Sequence, residues 1–209
     1  MTSMAAPIRV GGAHLCEARH VCAFFHSVDD QYDATLPFIG EGLVNGDRAV
    51  HIVNPVLRAE HERRMTLHGI DAAAARKKGQ LDVLDWSDTF FAEGDFKPER
   101  MIGQLEAVLA AGRDQGYPLT RFVAHAEWGL DPRASVQDLL DFESRVNAMW
   151  PSSSDAVICC YDLNRFSGDV VIEALRTHPM VIIGGILQEN PFFMRPIRRD
   201  EVLSHLRAR

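Results

Sequence analysis

The sequence predicts an α/β fold, a three-layer sandwich with a mostly parallel central sheet. Two observations carry this prediction. Short apolar strands alternate five times with single amphipathic helices, which is the order expected of parallel strands joined by crossover helices. The strand that begins at Val157 also has no polar interruption before Tyr161, as expected when both faces of a sheet are covered.

The predicted strands cover residues 20–25, 49–53, 81–86, 122–128 and 157–162, and the helices cover 31–45, 56–69, 98–115, 135–149 and 170–176. Glycine closes helices in a left-handed conformation, so Asn45-Gly46 ends the first helix. Pro98 suits the first position of its helix, and Ser135 caps the next one. The long loop at 87–97 is typical of a lid or a binding loop.

Composition and charge narrow the class of protein. At 209 residues, with 46% hydrophobic and 24% charged residues, the chain resembles a single globular domain. A net charge of −7 argues against a dedicated nucleic-acid binder, which must neutralise phosphates. No segment has the apolar length of a signal peptide or a membrane span. With four cysteines and no disulfide pattern, we expect a cytoplasmic protein with free thiols.

Three parts are predicted along the chain. Residues 1–17 form a flexible N-terminal segment, residues 18–193 form the folded domain, and residues 194–209 form a basic C-terminal tail. The tail is rich in arginine, and a solvated terminal helix is the simplest interpretation of it.

The turn after the first strand argues against ordinary ATP hydrolysis. A phosphate-binding loop at this point needs glycines and a lysine. Residues 26–33 contain neither, and they include Asp29, Asp30 and Asp33. This turn would repel a phosphate group.

A ligand site is predicted where the strands end. Ligands of parallel sheets bind outside the carboxyl ends of the strands, and small-molecule sites combine apolar walls with a few polar anchors. Aromatic and polar side chains meet these conditions at the predicted strand ends and in the adjoining loops. The predicted ligand-binding residues are Trp86, Phe90, Glu127, Trp128, Tyr161, Arg165 and His178.

Two alternatives remain open at this stage. Glu127 could activate a water molecule in a degenerate nucleotide hydrolase or transferase. A metal or thiol redox sensor could instead use the alternating donors of an extended segment, because imidazoles and thiolates on one face bind zinc or copper. Those donors are His14, Cys16, His20 and Cys22. No catalytic residue is predicted, and the sequence does not identify a cofactor.

The chain resembles the MEDS family, the methanogen/methylotroph DcmR sensory domains. The matching pieces run in the same order over nearly the whole chain, and the final Arg-Thr-His-Pro element adds the most specificity. They include His20-x-Cys22 with Phe24-Phe25, Pro37-Phe38-Ile39-x-Glu41-Gly42-Leu43, Glu127-x-x-Leu130, Glu143-x-x-x-Asn147, Cys160-Tyr161-Asp162 with Arg165-Phe166, and Arg176-Thr177-His178-Pro179.

The resemblance implies a degenerate relative of the RecA/KaiC-type ATPase fold that has lost its phosphate-binding loop. It also implies a sensor of small molecules, proposed to be hydrocarbon derivatives, in signalling or transcriptional regulation. Family members are often joined to a DNA-binding or kinase module. No such module is recognisable in this sequence, so we expect a stand-alone sensor that acts through a protein partner, with homodimerisation as a further expectation and without direct binding to DNA or membranes.

Overall fold

The computed structural model describes residues 8–15, 18–150 and 154–194. A seven-stranded sheet has the order β5-β4-β6-β7-β3-β8-β9, and a separate hairpin pairs β1 with β2. The strands are β1 Ile8–Val10, β2 Ala13–Leu15, β3 His20–Phe25, β4 Arg48–Val53, β5 Leu81–Asp85, β6 Thr120–His125, β7 Ala156–Asp162, β8 Met180–Ile183 and β9 Ile186–Glu189. The helices are α1 Val28–Asn45, α2 Arg58–Leu67, α3 Ala72–Lys77, α4 Trp86–Thr89, α5 Pro98–Asp114, α6 Val136–Met149 and α7 Gly168–Thr177.

The mostly parallel central sheet is confirmed. Every neighbouring pair in it is parallel except β8 and β9. Strands β3 and β4 are buried along their full length, because helices cover both faces of the sheet. Strand β3 lies between β7 and β8, with Cys22 opposite both Cys159 and Val181.

Two apolar layers hold the helices on the sheet. One layer joins the sheet to α1, α2 and α3 through side chains such as Phe38 and Met65. The other joins it to α5, α6 and α7 through side chains such as Met101, Phe142 and Ala174. Successive side chains of a strand point to opposite faces, so Cys159 belongs to the second layer.

The sheet extends further than the sequence predicts. The apolar run at 180–187 is a hairpin, because Gly184 and Gly185 adopt φ angles of 58° and 75° that reverse the chain between β8 and β9. At the other end, the predicted flexible segment 1–17 includes the β1-β2 hairpin, whose Ile8 side chain is fully buried. In the predicted tail only Met194 lies among the described residues.

The structure differs from the sequence-based prediction at the 87–97 loop and at the start of the first helix. The predicted loop at 87–97 begins with part of α4, and its three phenylalanines, Phe90, Phe91 and Phe96, are all buried in the core. Helix α1 begins at Val28, because the Ser27 hydroxyl accepts a hydrogen bond from the Asp30 amide, and it continues through Pro37. In the described part of the chain, no helix is both long and apolar enough to cross a bilayer.

Candidate functional site

An apolar cavity of about 80 Å³ lies between the sheet and helices α5 and α6. It runs from the carboxyl ends of β5 and β6 towards the middle of the strands. Its walls are aliphatic and aromatic apart from a few polar groups. Residues of the sheet side include Val50, Ile52, Phe122, Ala124 and Val157, and those of the helices and connections include Phe90, Leu105, Val108, Trp128, Phe142 and Val146.

Glu143 and Cys159 bring polar atoms to one wall of this cavity. Glu143 lies on the buried stripe of α6, next to Phe142 and one turn from Leu139 and Val146. A buried carboxylate needs partners, because burial without hydrogen bonds or counter-charges is costly. The polar groups of β3, β7 and the segment after α7 supply those partners.

Four groups converge on the Glu143 carboxylate. Its Oε2 atom lies 3.1 Å from His20 Nε2, 3.3 Å from His178 Nε2 and 3.5 Å from Cys159 Sγ. The Tyr161 hydroxyl donates a hydrogen bond of 3.1 Å to Oε1. Side-chain alternation brings Cys159 and Tyr161 to the same face of β7, and His20 sits at the start of the adjacent β3.

Burial and local charge shift the pKa values of this cluster. Burial, followed by the effect of the neighbouring His178 ring, lowers the pKa of His20 to about 4, against the opposing effect of Glu143. Burial alone would raise the pKa of Glu143, but His178 and His20 together hold it below its ordinary value. Burial, reinforced by Glu143, raises the pKa of both Cys159 and Tyr161.

His178 follows α7 and is fixed by the corner of the chain around it. Its Nδ1 atom lies 2.8 Å from the Ala174 carbonyl oxygen. The Asn190 side chain donates hydrogen bonds of 2.7 Å and 2.6 Å to the carbonyls of His178 and Leu175. The Arg-Thr-His-Pro element therefore forms a structural corner and at the same time directs the His178 ring towards Glu143.

The seven predicted site residues divide into three groups. Phe90 and Trp128 line the cavity, and their rings lie 4.6 Å apart. Trp86 belongs to this first group because it packs in the same apolar layer, although it does not line the cavity. Tyr161 and His178 meet at Glu143, whose importance the predicted set misses.

Glu127 and Arg165 form the third group, at the strand ends. Glu127 lies in a short 3-10 helix after β6 and is buried, and its Oε2 atom has no hydrogen-bond partner. Burial raises the pKa of Glu127 to about 7; a hydrogen bond from its own backbone amide and the charge of Arg165 oppose this rise, and Asp162 reinforces it. Arg165 itself is exposed. Neither residue lines the apolar cavity.

The extended donor set of the metal alternative is divided between two sheets. His14 is exposed on β2, whereas His20 and Cys22 are buried on β3. Cys16 lies outside the described residues. The described cysteines, Cys22, Cys159 and Cys160, are free thiols whose pKa values burial raises, which is opposite to the lowered pKa of a reactive thiol.

A second buried histidine group lies on the opposite face of the sheet. His51 Nδ1 is 2.7 Å from His61 Nε2, and the Gln31 side-chain amide is 2.7 Å from His125 Nε2. Burial lowers the pKa of His51 and His125 to about 3 and that of His61 to about 2. These rings are neutral polar links that fasten α1 and α2 to the sheet.

An open groove of about 490 Å³ lies at the end of β3, where a nucleotide-binding relative would carry its phosphate loop. The turn between β3 and α1 consists only of His26 and Ser27. Asp30 and Asp33 face the groove, and the glycine turns of the two hairpins complete it. Its acidic lining does not suit phosphate.

Two solved structures share this fold. A KaiC-like protein of the hyperthermophilic archaeon Pyrococcus horikoshii has a TM-score of 0.58 at 14% identity, over 78% of this chain and 69% of that chain. An uncharacterised protein of Pyrococcus horikoshii, in complex with an unknown peptide, has a TM-score of 0.61 at 12% identity, over 78% of this chain and 76% of that chain. At these identities the likeness shows the fold alone, and it confirms the RecA/KaiC-like architecture.

Sequence comparison defines the family. The transcriptional repressor DcmR of Methylorubrum extorquens is 25% identical over 177 residues, which is 83% of this chain and 63% of the repressor. The chain thus spans less than two thirds of that relative. The family model of the MEthanogen/methylotroph, DcmR Sensory domain matches residues 19–179, a range that includes His20, Glu143, Cys159 and His178. This chain belongs to the MEDS family of sensory domains.

Proposed function

We propose that this domain senses a small, largely apolar molecule that binds in the cavity between the sheet and helices α5 and α6. The proposal rests on one observation: the cavity is apolar and has a single buried carboxylate, that of Glu143, on its wall. Small-molecule sites have this composition: apolar walls supply affinity, and a few polar groups set orientation. The cavity exceeds the space of a single water, which needs about 10–15 Å³.

The ligand contacts follow from the cavity lining. Phe90 and Trp128 flank the apolar part of the ligand, and Glu143 or Cys159 meets a polar atom at its end. Tyr161 and His178 act indirectly, because both contact Glu143. Glu127 and Arg165 lie near the strand ends and respond to changes there rather than touching the ligand.

The signal is carried by α5. Only Met101, Leu109 and Gly112 of this helix are fully buried, whereas Leu105 and Val108 pack partly exposed against the cavity. A ligand that fills the cavity gives α5 new apolar contacts and stabilises its position on the sheet. A regulatory partner protein then binds α5 in its stabilised position and so responds to the ligand. The likeness to a transcriptional repressor supports a regulatory role of this kind.

A homologous series of straight-chain alcohols, from methanol to hexanol, tests the cavity. Each added methylene should strengthen binding by about 0.8 kcal/mol until the chain outgrows the space. Trp128 lines the cavity, so binding should change tryptophan fluorescence in a saturable way. Hydrogen exchange in α5 should slow at saturation. Native mass spectrometry of the protein as purified tests for a retained natural ligand.

Two substitutions give the experiment a matched control. Ala124→Phe fills the cavity from β6 and should abolish saturable alcohol binding. Gly103→Ala adds a carbon on α5 where no atom lies within 4 Å, and binding should be unchanged. If Ala124→Phe binds the series like the wild type, or if every alcohol gives only a linear response, the cavity is not the ligand site.

A further inference from the structure

We propose that four converging side chains in the second apolar layer bind a divalent metal ion with the chemistry of Zn²⁺. The four are His20, Glu143, Cys159 and His178, and one ligand atom from each lies within 4.8 Å of the others. All four are buried. Of these four residues, only His20 also belongs to the metal-binding set suggested by the sequence. The other three lie on α6, on β7 and in the corner after α7.

The separations fit a tetrahedral ion. Bonds of about 2.0–2.3 Å to nitrogen, oxygen and sulfur place neighbouring ligand atoms of such an ion about 3.3–3.6 Å apart. Glu143 Oε2 lies 3.1 Å from His20 Nε2 and 3.3 Å from His178 Nε2. Cys159 Sγ lies 3.5 Å from Glu143 Oε2 and 3.7 Å from His20 Nε2. These four of the six separations fit a tetrahedral ion. Since all four ligand atoms lie within 4.8 Å of one another, an ion can bind once the more distant pairs close by about 1 Å.

The hydrogen bonds of His178 leave its Nε2 atom available to a cation. Its Nδ1 atom contacts the Ala174 carbonyl oxygen, which only accepts, so Nδ1 carries the ring proton. In the neutral ring, Nε2 directs a lone pair at the Glu143 carboxylate and has no hydrogen-bond partner. Two facing lone pairs repel each other. A second ring proton would relieve this one contact, whereas a metal ion would satisfy all four donors.

Charge balance also favours an ion. Binding replaces the thiol proton of Cys159, which is released to solvent, because the thiolate is the ligand. One thiolate, one carboxylate, two neutral imidazoles and a divalent ion then sum to zero charge. A neutral assembly is the form that a fully buried site tolerates best.

The contacts around His178 and Glu143 match those of a metal site, whereas His20 Nδ1 is buried without a hydrogen-bond partner. A histidine that binds a metal almost always donates a hydrogen bond from its other ring N–H to a carbonyl or carboxylate, as His178 Nδ1 does to the Ala174 carbonyl oxygen. Tyr161 donates to Glu143 Oε1 and leaves Oε2 to face the other donors. A mixed nitrogen, sulfur and oxygen set of four is typical of Zn²⁺. The cavity reaches Glu143 and Cys159, so the ion would form its polar end.

The first measurement uses the whole chain. The protein is purified under reducing conditions, stripped with a chelator and reloaded with Zn²⁺, and bound metal is determined by mass spectrometry after gel filtration. We expect an equimolar amount of zinc and a higher unfolding temperature in the loaded form, because binding to the folded state stabilises it. Loading with Co²⁺ should give a thiolate-to-cobalt charge-transfer band and intense visible bands of tetrahedral Co²⁺.

Neighbouring cysteines on β7 supply the matched control. Cys159→Ser should remove the charge-transfer band, whereas Cys160→Ser, on the opposite face of the strand, should keep it. Tyr161→Phe should weaken Zn²⁺ binding by about 10–100-fold, the usual effect of losing a group that orients a ligand. Circular dichroism checks that each variant is folded.

Wild-type protein that holds no stoichiometric Zn²⁺ or Co²⁺ would overturn the proposal, and this result needs no variant. A charge-transfer band that survives Cys159→Ser and disappears in Cys160→Ser would also overturn it. The ion site shares Glu143 and Cys159 with the wall of the proposed ligand cavity, but the two proposals are tested by different measurements. Metal content and the cobalt spectrum test the ion, whereas alcohol binding in Ala124→Phe tests the cavity.

Discussion

The Tyr161 hydroxyl donates a hydrogen bond of 3.1 Å to Glu143 Oε1 inside the second apolar layer. Both side chains are buried, so Tyr161→Phe leaves a carboxylate oxygen without its donor. An unsatisfied buried polar group costs about 1–3 kcal/mol. We expect the free energy of unfolding of the metal-stripped protein to fall by that amount in urea titrations.

Tyr117→Phe is the control for this loss. The Tyr117 hydroxyl donates to the Lys78 carbonyl oxygen over 3.1 Å in an exposed setting, where water replaces it. The free energy of unfolding should change by less than about 0.5 kcal/mol, as for most surface substitutions. Equal losses in the two variants would show that the hydroxyl of Tyr161 has no special role.

Glycines in α1 provide a second prediction. A Cβ atom at Gly42 would lie 2.5 Å from Arg121 Cδ, and Arg121 cannot move freely because it pairs with Asp47 at 2.8 Å and donates to the Phe38 carbonyl at 2.7 Å. Gly42→Ala should therefore lower the free energy of unfolding by about 1–3 kcal/mol, as other overpacked cores do.

Gly40, two residues earlier in the same helix, is the matched site. A Cβ atom there would meet Ile70 Cγ1 at an ordinary 3.7 Å. Gly40→Ala should raise the free energy of unfolding by about 0.5–1 kcal/mol, because alanine loses less backbone freedom than glycine in a helix. Urea titrations of the two variants give the comparison, and a stable Gly42→Ala protein would contradict the described packing of Arg121.

The layered fold could be predicted from sequence because each strand is a short apolar run next to an amphipathic helix. The pairing of distant segments could not. The Gly184-Gly185 pair between two short apolar runs is a local hairpin signal that the prediction did not use, but nothing local in residues 180–187 shows that the hairpin pairs with β3. The hairpin at 8–15 was equally hidden, since its short strands are stabilised by packing on the α1 layer rather than by their own pattern.

The candidate site was predictable only in part. Strand ends and aromatic residues point to Phe90 and Trp128, but a cavity arises from the packing of many apolar side chains, and no residue pattern encodes its volume. Glu143 carried a usable signal: it is a charged residue between Leu139 and Val146 on the apolar stripe of α6. Its partners His20 and His178 are 158 residues apart in sequence numbering and meet only through β3 and β8.

Glu127 gives a prediction for the dependence of stability on pH. Its pKa in the folded protein is about 7, raised by burial from the ordinary 4.5. Between these values the folded protein holds a proton that the unfolded chain has lost. The contribution of Glu127 to the free energy of unfolding is therefore complete below pH 4.5 and is lost as the pH rises through 7. One pKa unit corresponds to about 1.4 kcal/mol, so the loss reaches roughly 3 kcal/mol.

Glu127→Gln removes this titration because glutamine is neutral at every pH. The free energy of unfolding of the variant, relative to the wild type, should rise by about 2–3 kcal/mol between pH 5 and pH 8. The buried histidines titrate alike in both proteins, so the difference isolates Glu127. Glu106→Gln, at an exposed position on α5, should change the free energy by less than about 0.5 kcal/mol at either pH. A difference between Glu127→Gln and the wild type that does not vary with pH would mean that Glu127 is ionised and well solvated in the folded protein.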